Sequence, residues 1–230
     1  MKLSVSKIEE YTKCPYSYYL TNIKKAPIIG PEPRPLTMGK EIHELFDHAY
    51  DVPELNPKAI ALAVTSHAKY KEYKEHCDNF IKFNYDKKAY PLHREIKLHD
   101  EELDFTGVID RVDWNGKSLA IIDYKPGRND GIAKHRFQLA VYAYLFEKNH
   151  NKPVTHWGIY FSKEHELVLE VVDREEMRRA VARIVAVRAK IQDGLDRVSF
   201  PKNPGWYCKG CRYYPAICDG KIGASMEAKG

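Results

Sequence analysis

The chain alternates hydrophobic and polar positions with two different periods, and the change of period divides it into regions. Helical spacing of apolar residues marks LSVSKIEEYTKCPYSYYL, a helix that should end at Pro15, and MGKEIHELFDHAYD. Residues 26–37 between them are rich in proline and glycine, which predicts a loop. A charged helical region follows over residues 56–87. The first part of the chain is therefore predicted to be helical.

The period changes to two in the middle of the chain. HREIKLHDEELDFTGVIDRVDWNGKSLAIIDYK predicts three strands, at about residues 92–98, 103–113 and 118–125. A helix in KHRFQLAVYAYLFEKN, two strands in THWGIYFSKEHELVLEVV and a helix with Asp173 as its N-cap follow. This order predicts an α/β fold in which helices are layered on a sheet.

The hairpin of the second and third strands carries candidate chemistry. Asn115-Gly116 predicts a two-residue turn, and in that register Asp110 lies diagonal to Asp123. Residues two apart share a strand face, so Asp123 and Lys125 project together. Diagonal neighbours are roughly 7–8 Å apart. Two carboxylates at this spacing can bind one divalent cation, with a lysine beside it.

A solvated, salt-bridged strand face is the alternative interpretation of these charges. The apolar strand LAIIDYK suits burial on both faces, which favours a site. Gln138 and Tyr142, four residues apart on the next helix, share one helical face and could contribute. Asp113 must point to the opposite face from Asp110, where it is expected to pair with Arg111.

Composition bounds the protein class only loosely. The 230 residues are 43% hydrophobic and carry a formal net charge of +5, which suits one large domain and permits a polyanionic partner without identifying one. No apolar run is long enough to span a membrane, and no secretory signal is visible. We therefore expect no membrane partner and a cytoplasmic location, where five cysteines would not form a disulfide framework.

Three cysteines near the C-terminus form the pattern C-x2-C-x6-C: Cys208, Cys211 and Cys218. This spacing suits a metal ion or an iron–sulfur cluster that needs a fourth thiolate. Cys14 and Cys77 are the two candidates for that position. Spacing does not separate Zn²⁺ from iron–sulfur, since both accept four thiolates.

GVIDRVD, IIDYKPG and QLAVY, in this order, resemble motifs of the PD-(D/E)XK nuclease superfamily in its RecB-like branch, which includes the small CRISPR-associated RecB-like exonucleases. The resemblance extends over most of the chain. Ile109 stands where the literal proline of the first motif would be. The resemblance implies a restriction-endonuclease-like core, with a central mixed sheet flanked by helices, and metal-dependent hydrolysis of phosphodiester bonds.

The resemblance also implies roles for the hairpin residues. Asp110 and Asp123 would hold Mg²⁺ or Mn²⁺, and Lys125 would orient the attacking water and balance negative charge. GKEIHELF resembles the upstream helix of the branch, which makes His43 a metal ligand. The backbone carbonyl of Tyr124 is a further candidate ligand.

The resemblance implies that Gln138 and Tyr142 contact substrate or brace the active site. Glu95, on the strand before the hairpin, is expected to be at most an accessory acid. Members of the branch bind a [4Fe–4S] cluster through one upstream and three downstream cysteines. SKIEEYTKCPYSYYL resembles the upstream segment, so the resemblance selects Cys14 over Cys77 and favours iron–sulfur over Zn²⁺.

The sequence thus predicts a metal-dependent DNA exonuclease stabilised by a [4Fe–4S] cluster. A structure-specific or processing endonuclease and a non-catalytic DNA-binding subunit are the alternatives. The expected substrate is DNA, single-stranded or with free ends, and a protein partner in a repair, replication or CRISPR-type complex is possible. We expect one nuclease domain over residues 1–220, a cluster-binding subregion formed by 1–25 and 200–220, and a flexible tail at 221–230.

Overall fold

The computed structural model describes residues 2–28, 34–87 and 90–219. The predicted tail, 221–230, lies outside the described residues. The chain divides into two compact units. The first unit consists of residues 1–31, 101–105 and 179–230, and the second of residues 32–100 and 106–178. The single domain predicted over 1–220 stays a prediction.

The second unit is built on a five-stranded sheet whose spatial order follows the sequence order. Its strands are β1 (Pro91–Asp100), β2 (Phe105–Trp114), β3 (Leu119–Lys125), β4 (His156–Phe161) and β5 (Glu166–Val171). Strand β3 pairs antiparallel with β2 and parallel with β4, and β4 pairs antiparallel with β5. The sheet is therefore mixed, and the predicted α/β fold is confirmed.

The helices lie close to the predicted positions. They are α1 (Val5–Lys13), α2 (Pro15–Tyr18), α3 (Arg34–His48), α4 (Pro57–Ser66), α5 (Lys74–Lys87), α6 (Arg136–His150) and α7 (Arg174–Asp196). A π-helical turn at Tyr19–Ile23 follows α2, and short 3₁₀ turns lie at Ile132–His135 and Trp206–Gly210. Asp173 caps α7 as predicted, because its carboxylate accepts the backbone N–H of Glu175 across 2.8 Å. None of the described helices has the length and apolar content needed to cross a membrane.

Two helical predictions were wrong in detail. The loop predicted over 26–37 is too long, because α3 begins at Arg34. Residues 29–33 of the predicted loop lie outside the described residues. Pro35 is the second residue of that helix, where a missing N–H costs no hydrogen bond. The region 56–87 forms two helices, and the backbone becomes extended at the C-cap of the first.

Helices pack on both faces of the sheet of the second unit. Ile122 and Tyr124 of β3 belong to a buried cluster with α3 and α5, in which the rings of Phe46 and Phe80 stack at 3.9 Å. The alternate residues of β3 face α6, because successive side chains on a strand point to opposite faces. Strand β3 is buried on both sides, as its apolar sequence predicted. Helix α6 therefore lies against the face of β3 that carries Asp123 and Lys125.

The first unit has a small core of its own, formed by Tyr16, Leu20 and Tyr213. The N-terminal and C-terminal segments meet there, since the N–H of Tyr16 donates to the carbonyl of Pro201 across 3.2 Å. Cys14 lies between α1 and α2 in an extended conformation, which the following proline favours. The two cysteine-bearing segments are thus packed against each other in the first unit.

Candidate active site

The β2–β3 hairpin has a longer connection than the two-residue turn that Asn115-Gly116 predicted. Arg111 pairs with Ile122 and Trp114 with Leu119, so residues 115–118 form the loop. Its conformation is held by one side chain, because the Asn115 carbonyl oxygen accepts the backbone N–H groups of residues 117 and 118 at 3.0 and 2.8 Å. The predicted register is therefore wrong by two positions.

This register brings the two candidate carboxylates closer than predicted. Continued by one position, the ladder places Asp110 directly opposite Asp123 instead of diagonal to it. An even shift keeps both side chains on one face, because the side-chain period of a strand is two. Both side chains are buried, at 7% and 2% exposure. The error in register therefore leaves the proposed pair of acids together.

His43 joins α3 to the hairpin. Its Nε2 lies 2.8 Å from the carbonyl oxygen of Tyr124, and its Nδ1 lies 3.4 Å from Asp110 Oδ2. That carboxylate oxygen also accepts the N–H of Tyr124 across 2.7 Å. Burial disfavours the charged imidazole, but hydrogen bonding and the charge of Asp110 outweigh burial and raise the pKa of His43 to about 9. The ring is thus held by acceptors on both nitrogens.

Glu95 of β1 completes a trio of potential metal ligands. One ligand atom each from His43, Glu95 and Asp110 lies within 4.8 Å of the other two. Burial and the negative charge of Asp110 raise the pKa of Glu95 to about 7. Its Oε1 is buried and accepts no hydrogen bond within the described part of the chain. Such a set of oxygen and imidazole donors can hold a divalent cation.

The sequence indicated Glu95 only as an accessory acid. In the structure its backbone φ is +43°, an uncommon value for a non-glycine residue within a strand. Strained backbone of this kind concentrates at functional sites. The residue pattern of β1 carries no signal for a local departure from extended geometry, so the position of this carboxylate could not be predicted.

Asp123 is held between Lys125 and helix α6. Its Oδ1 accepts the side-chain N–H of Gln138 across 2.8 Å. Its Oδ2 lies 2.7 Å from Lys125 Nζ but outside hydrogen-bonding alignment. Burial, followed by the charge of Asp110, raises the pKa of Asp123, and Lys125 opposes this shift. Lys125 therefore favours ionised Asp123, and the charge of His43 acts in the same direction.

Gln138 and Tyr142 continue this network along α6. The Gln138 amide nitrogen also donates to the Tyr142 hydroxyl across 2.9 Å, and its carbonyl oxygen accepts Lys125 Nζ at 3.1 Å. Burial and the nearby Asp123 raise the pKa of the Tyr142 hydroxyl, which keeps it neutral. Gln138 thus contacts both the acid and the lysine, and Tyr142, on the same helical face, contacts Gln138.

Helix α6 approaches the hairpin closely because β2 contains a glycine. A Cβ built on Gly107 would lie 2.8 Å from a methyl carbon of Leu145 and 3.1 Å from the ring of Tyr142. Both distances are shorter than van der Waals contact. The absence of a side chain at this position therefore allows α6 to place Tyr142 at the site.

These groups line a cleft of about 680 Å³ in the second unit. Glu95 lines it together with every side chain predicted for the catalytic centre: His43, Asp110, Asp123, Lys125, Gln138 and Tyr142. Asp113 is excluded as predicted, because its Oδ1 accepts Nε of the buried Arg111 across 2.6 Å. A cleft lined by clustered acids and a lysine is a candidate active site.

The predicted cluster ligands belong to the first unit. Cys14, Cys211 and Cys218 pack against the small core of the first unit, and Cys208 accepts the N–H of Gly205 across 3.3 Å. Cys77 instead lies in the core of the second unit, where burial raises the pKa of its thiol to about 11. Four of the five cysteines therefore belong to one unit.

Comparison with known proteins identifies the family. A sequence model of the PD-(D/E)XK nuclease superfamily matches residues 2–219. A search of curated proteins found no match. Among solved structures, a protein from Eubacterium rectale named as a candidate exonuclease is similar, with a TM-score of 0.53 and 14% identity over 82% of each chain.

A second solved structure, SSO0001, has a TM-score of 0.36 and 15% identity over 81% of this chain and 98% of its own. That TM-score is too low to inform on the fold. The likeness to the Eubacterium rectale protein supports the restriction-endonuclease-like core. With residues 2–219 matched, the chain belongs to the PD-(D/E)XK nuclease superfamily.

Proposed function

We propose that this protein is a divalent-metal-dependent deoxyribonuclease of the RecB-like branch that degrades DNA from free ends. One observation carries the proposal: ligand atoms of His43, Glu95 and Asp110 converge within 4.8 Å beside the ion pair of Asp123 and Lys125. Membership of a nuclease superfamily supports the hydrolysis of a phosphodiester bond as the reaction at these residues.

The chemistry of the donors supports a metal ion. Glu95 Oε1 is a buried oxygen that accepts no hydrogen bond within the described residues. Leaving such an atom without a partner is costly, and a cation would satisfy it. Asp123 Oδ2 already faces Lys125 Nζ at 2.7 Å. Carboxylate oxygens suit Mg²⁺ or Mn²⁺, and the imidazole of His43 shifts the preference toward Mn²⁺. The carbonyl of Tyr124 would be a further ligand.

A metal held there would polarise the scissile phosphate and lower the pKa of a bound water. Lys125 would orient that water and balance the developing negative charge. Gln138 fixes both Lys125 and Asp123, because one amide bonds each of them. The same amide nitrogen also donates to the Tyr142 hydroxyl, which fixes the orientation of the amide. The residues of α6 therefore brace the groups that would act on substrate.

Cleavage from DNA ends rests on the likeness to the RecB-like branch and on the name of the Eubacterium rectale protein. An endonuclease that cleaves structured or precursor DNA would use the same site. A non-catalytic DNA-binding subunit is disfavoured, since acids, histidine and lysine all line the cleft. We also propose that the nuclease acts with a protein partner in a repair, replication or CRISPR-type complex.

We further propose that Cys14, Cys208, Cys211 and Cys218 bind a [4Fe–4S] cluster. Cys14, Cys211 and Cys218 pack against one small core, and Cys208 belongs to the 3₁₀ turn Trp206–Gly210. The likeness to the RecB-like branch favours iron–sulfur. Zn²⁺ also accepts four thiolates and is the alternative occupant.

Digestion of end-labelled DNA by anaerobically purified protein tests the nuclease proposal. Linear and closed circular single strands are compared, with Mn²⁺ or Mg²⁺ added and withheld. We expect metal-dependent loss of the linear strand only, abolished by Asp123→Ala and unaffected by the matched change Asp193→Ala at an exposed position of α7 in the first unit. Cleavage that survives Asp123→Ala would overturn the site, and cleavage of circles would indicate an endonuclease.

A further inference from the structure

We propose that Trp206 and the basic residues around it form a second nucleic-acid contact, in which a base of single-stranded DNA stacks on the indole. This inference rests on the proposed deoxyribonuclease function. Trp206 is 88% exposed, compared with 49% for Trp114 and 1% for Trp157. Tryptophan is mostly buried in folded proteins, so a ring almost fully in water is available to a ligand.

The backbone beneath this ring is anchored although the ring is exposed. Trp206 begins a 3₁₀ turn in which the N–H of Gly205 donates to Cys208 Sγ across 3.3 Å. The next residue, Tyr207, donates its hydroxyl to the carbonyl of Lys13 across 3.1 Å. The rings of Trp206 and Tyr207 meet at 6.0 Å, edge to face. The indole therefore extends from a fixed support.

A single exposed aromatic residue needs no ligand to explain it, but its electrostatic surroundings point to one. The segments that meet in the first unit, residues 10–28 and 200–219, contain two acids and six basic residues. Glu10 accepts hydrogen bonds from Thr21 and Asn22, and Asp219 pairs with Lys202 across 2.9 Å. The other basic residues are Lys13, Lys24, Lys25, Lys209 and Arg212. The whole chain has 32 acidic and 37 basic residues, so this excess of positive charge is local.

One of these cations contacts the aromatic pair, and two more are near it in the sequence. Lys13 Nζ lies 4.9 Å from the ring centre of Tyr207. Lys209 and Arg212 are exposed and follow Trp206 by three and six residues. Neither makes an ion pair with the described residues. Positive charges beside an exposed ring suit a phosphate backbone with accessible bases, which is the surface that single strands offer and duplexes hide.

The occupant that fits is therefore single-stranded DNA and not an acidic protein segment, because an aromatic platform uses the faces of bases as well as the phosphates. Base stacking on aromatic side chains tolerates any sequence. The contact would hold substrate without selecting a sequence, as a nuclease that degrades DNA from its ends requires.

Anisotropy of a labelled oligothymidylate, with the full chain purified anaerobically and without added divalent metal, tests the contact. We expect Trp206→Ala to weaken binding roughly tenfold and Trp206→Phe to retain most of it. Trp114→Ala, a partly exposed tryptophan of the second unit, is the matched control and should bind as the wild type. Equal affinity for wild type and Trp206→Ala overturns the proposal and would favour a protein as occupant.

Salt dependence separates stacking from charge. For single strands, each phosphate contact contributes about −0.7 to the slope of log K against log salt. The slope of the Lys209→Ala/Arg212→Ala double variant should therefore be less steep by about 1.4. Trp206→Ala should leave the slope unchanged. An unchanged slope in the double variant contradicts the basic part of the contact.

Photo-crosslinking of a bromouracil oligonucleotide to the wild-type chain needs no variant that could misfold. Crosslinks to the peptide containing Trp206 support the contact, and crosslinks confined to the second unit overturn it. The nuclease proposal is judged separately, by cleavage after metal is added. Protein that crosslinks through Trp206 without cleaving would retain this inference and lose the other.

Discussion

The amide nitrogen of Gln138 on helix α6 donates to Asp123 Oδ1 on strand β3 across 2.8 Å. The carbonyl oxygen of the same amide accepts Lys125 Nζ across 3.1 Å. One neutral side chain therefore sets the orientation of an acid and of a base two residues apart. Hydrogen bonds of this kind, from a residue that binds neither metal nor substrate itself, orient metal ligands and catalytic groups.

We expect Gln138→Ala to lower the rate of DNA cleavage about 10–100-fold, because Asp123 and Lys125 lose their shared brace. Cleavage rates at saturating Mn²⁺ measure the effect. Gln192→Ala, which removes an exposed amide from α7, is the matched control and should retain full activity. A full rate in Gln138→Ala would show that the acid and lysine hold their positions without this amide.

Glu95 is expected to bind metal directly. The isosteric change Glu95→Gln removes its charge from the trio of His43, Glu95 and Asp110. We expect Mn²⁺ affinity to fall about 10–100-fold by titration calorimetry. Glu101→Gln, in the turn after β1, is the control. Unchanged Mn²⁺ binding in Glu95→Gln would remove this residue from the ligand set.

Metal affinity should rise with pH. Without metal, the pKa of Glu95 is about 7 and that of His43 about 9, so both hold protons at neutral pH or below. Both groups must release those protons to become ligands, and metal binding is therefore coupled to proton release. Mn²⁺ affinity should increase between about pH 7 and pH 9, with a weaker dependence in His43→Ala. Affinity that is flat over this range would contradict the ligand assignment.

The strand pattern was sufficient to place Asp110 and Asp123 on one face, because a period of two survives any even error in register. The register itself depended on Asn115, whose side chain holds a four-residue loop that the Asn-Gly pair did not reveal. Glu95 could not be placed, since its left-handed backbone within β1 leaves no mark on the residue pattern.

His43 could be found only by resemblance. A histidine on an amphipathic helix carries no signal of its own, and its partner, the carbonyl of Tyr124, is 81 positions away in sequence. Cys14 could also be selected only by resemblance. Its segment meets the segment of Cys211 and Cys218 through tertiary packing around one small core. Contacts between distant segments were therefore the part that residue patterns did not predict.

The cysteines give a paired prediction. Cys208→Ser should lose iron and the absorption of an iron–sulfur cluster, because it removes one of four proposed thiolates. Cys77→Ala should retain both, since that thiol lies in the core of the second unit. Iron analysis after anaerobic purification measures the difference. Iron-free wild type, or zinc in its place, would contradict the cluster.

Gly107 tests how closely helix α6 must approach the hairpin. Gly107→Ala places a Cβ 2.8 Å from Leu145 and 3.1 Å from the ring of Tyr142, so the helix must shift. We expect the free energy of unfolding, measured in urea, to fall by about 1–3 kcal/mol, as in other overpacked cores. Cleavage should slow as well, because Tyr142 and Gln138 move together on one helix face. Gly127→Ala is the matched control, since a Cβ there meets nothing within 4 Å. Wild-type stability and rate in Gly107→Ala would show that α6 has room to move without disturbing the site.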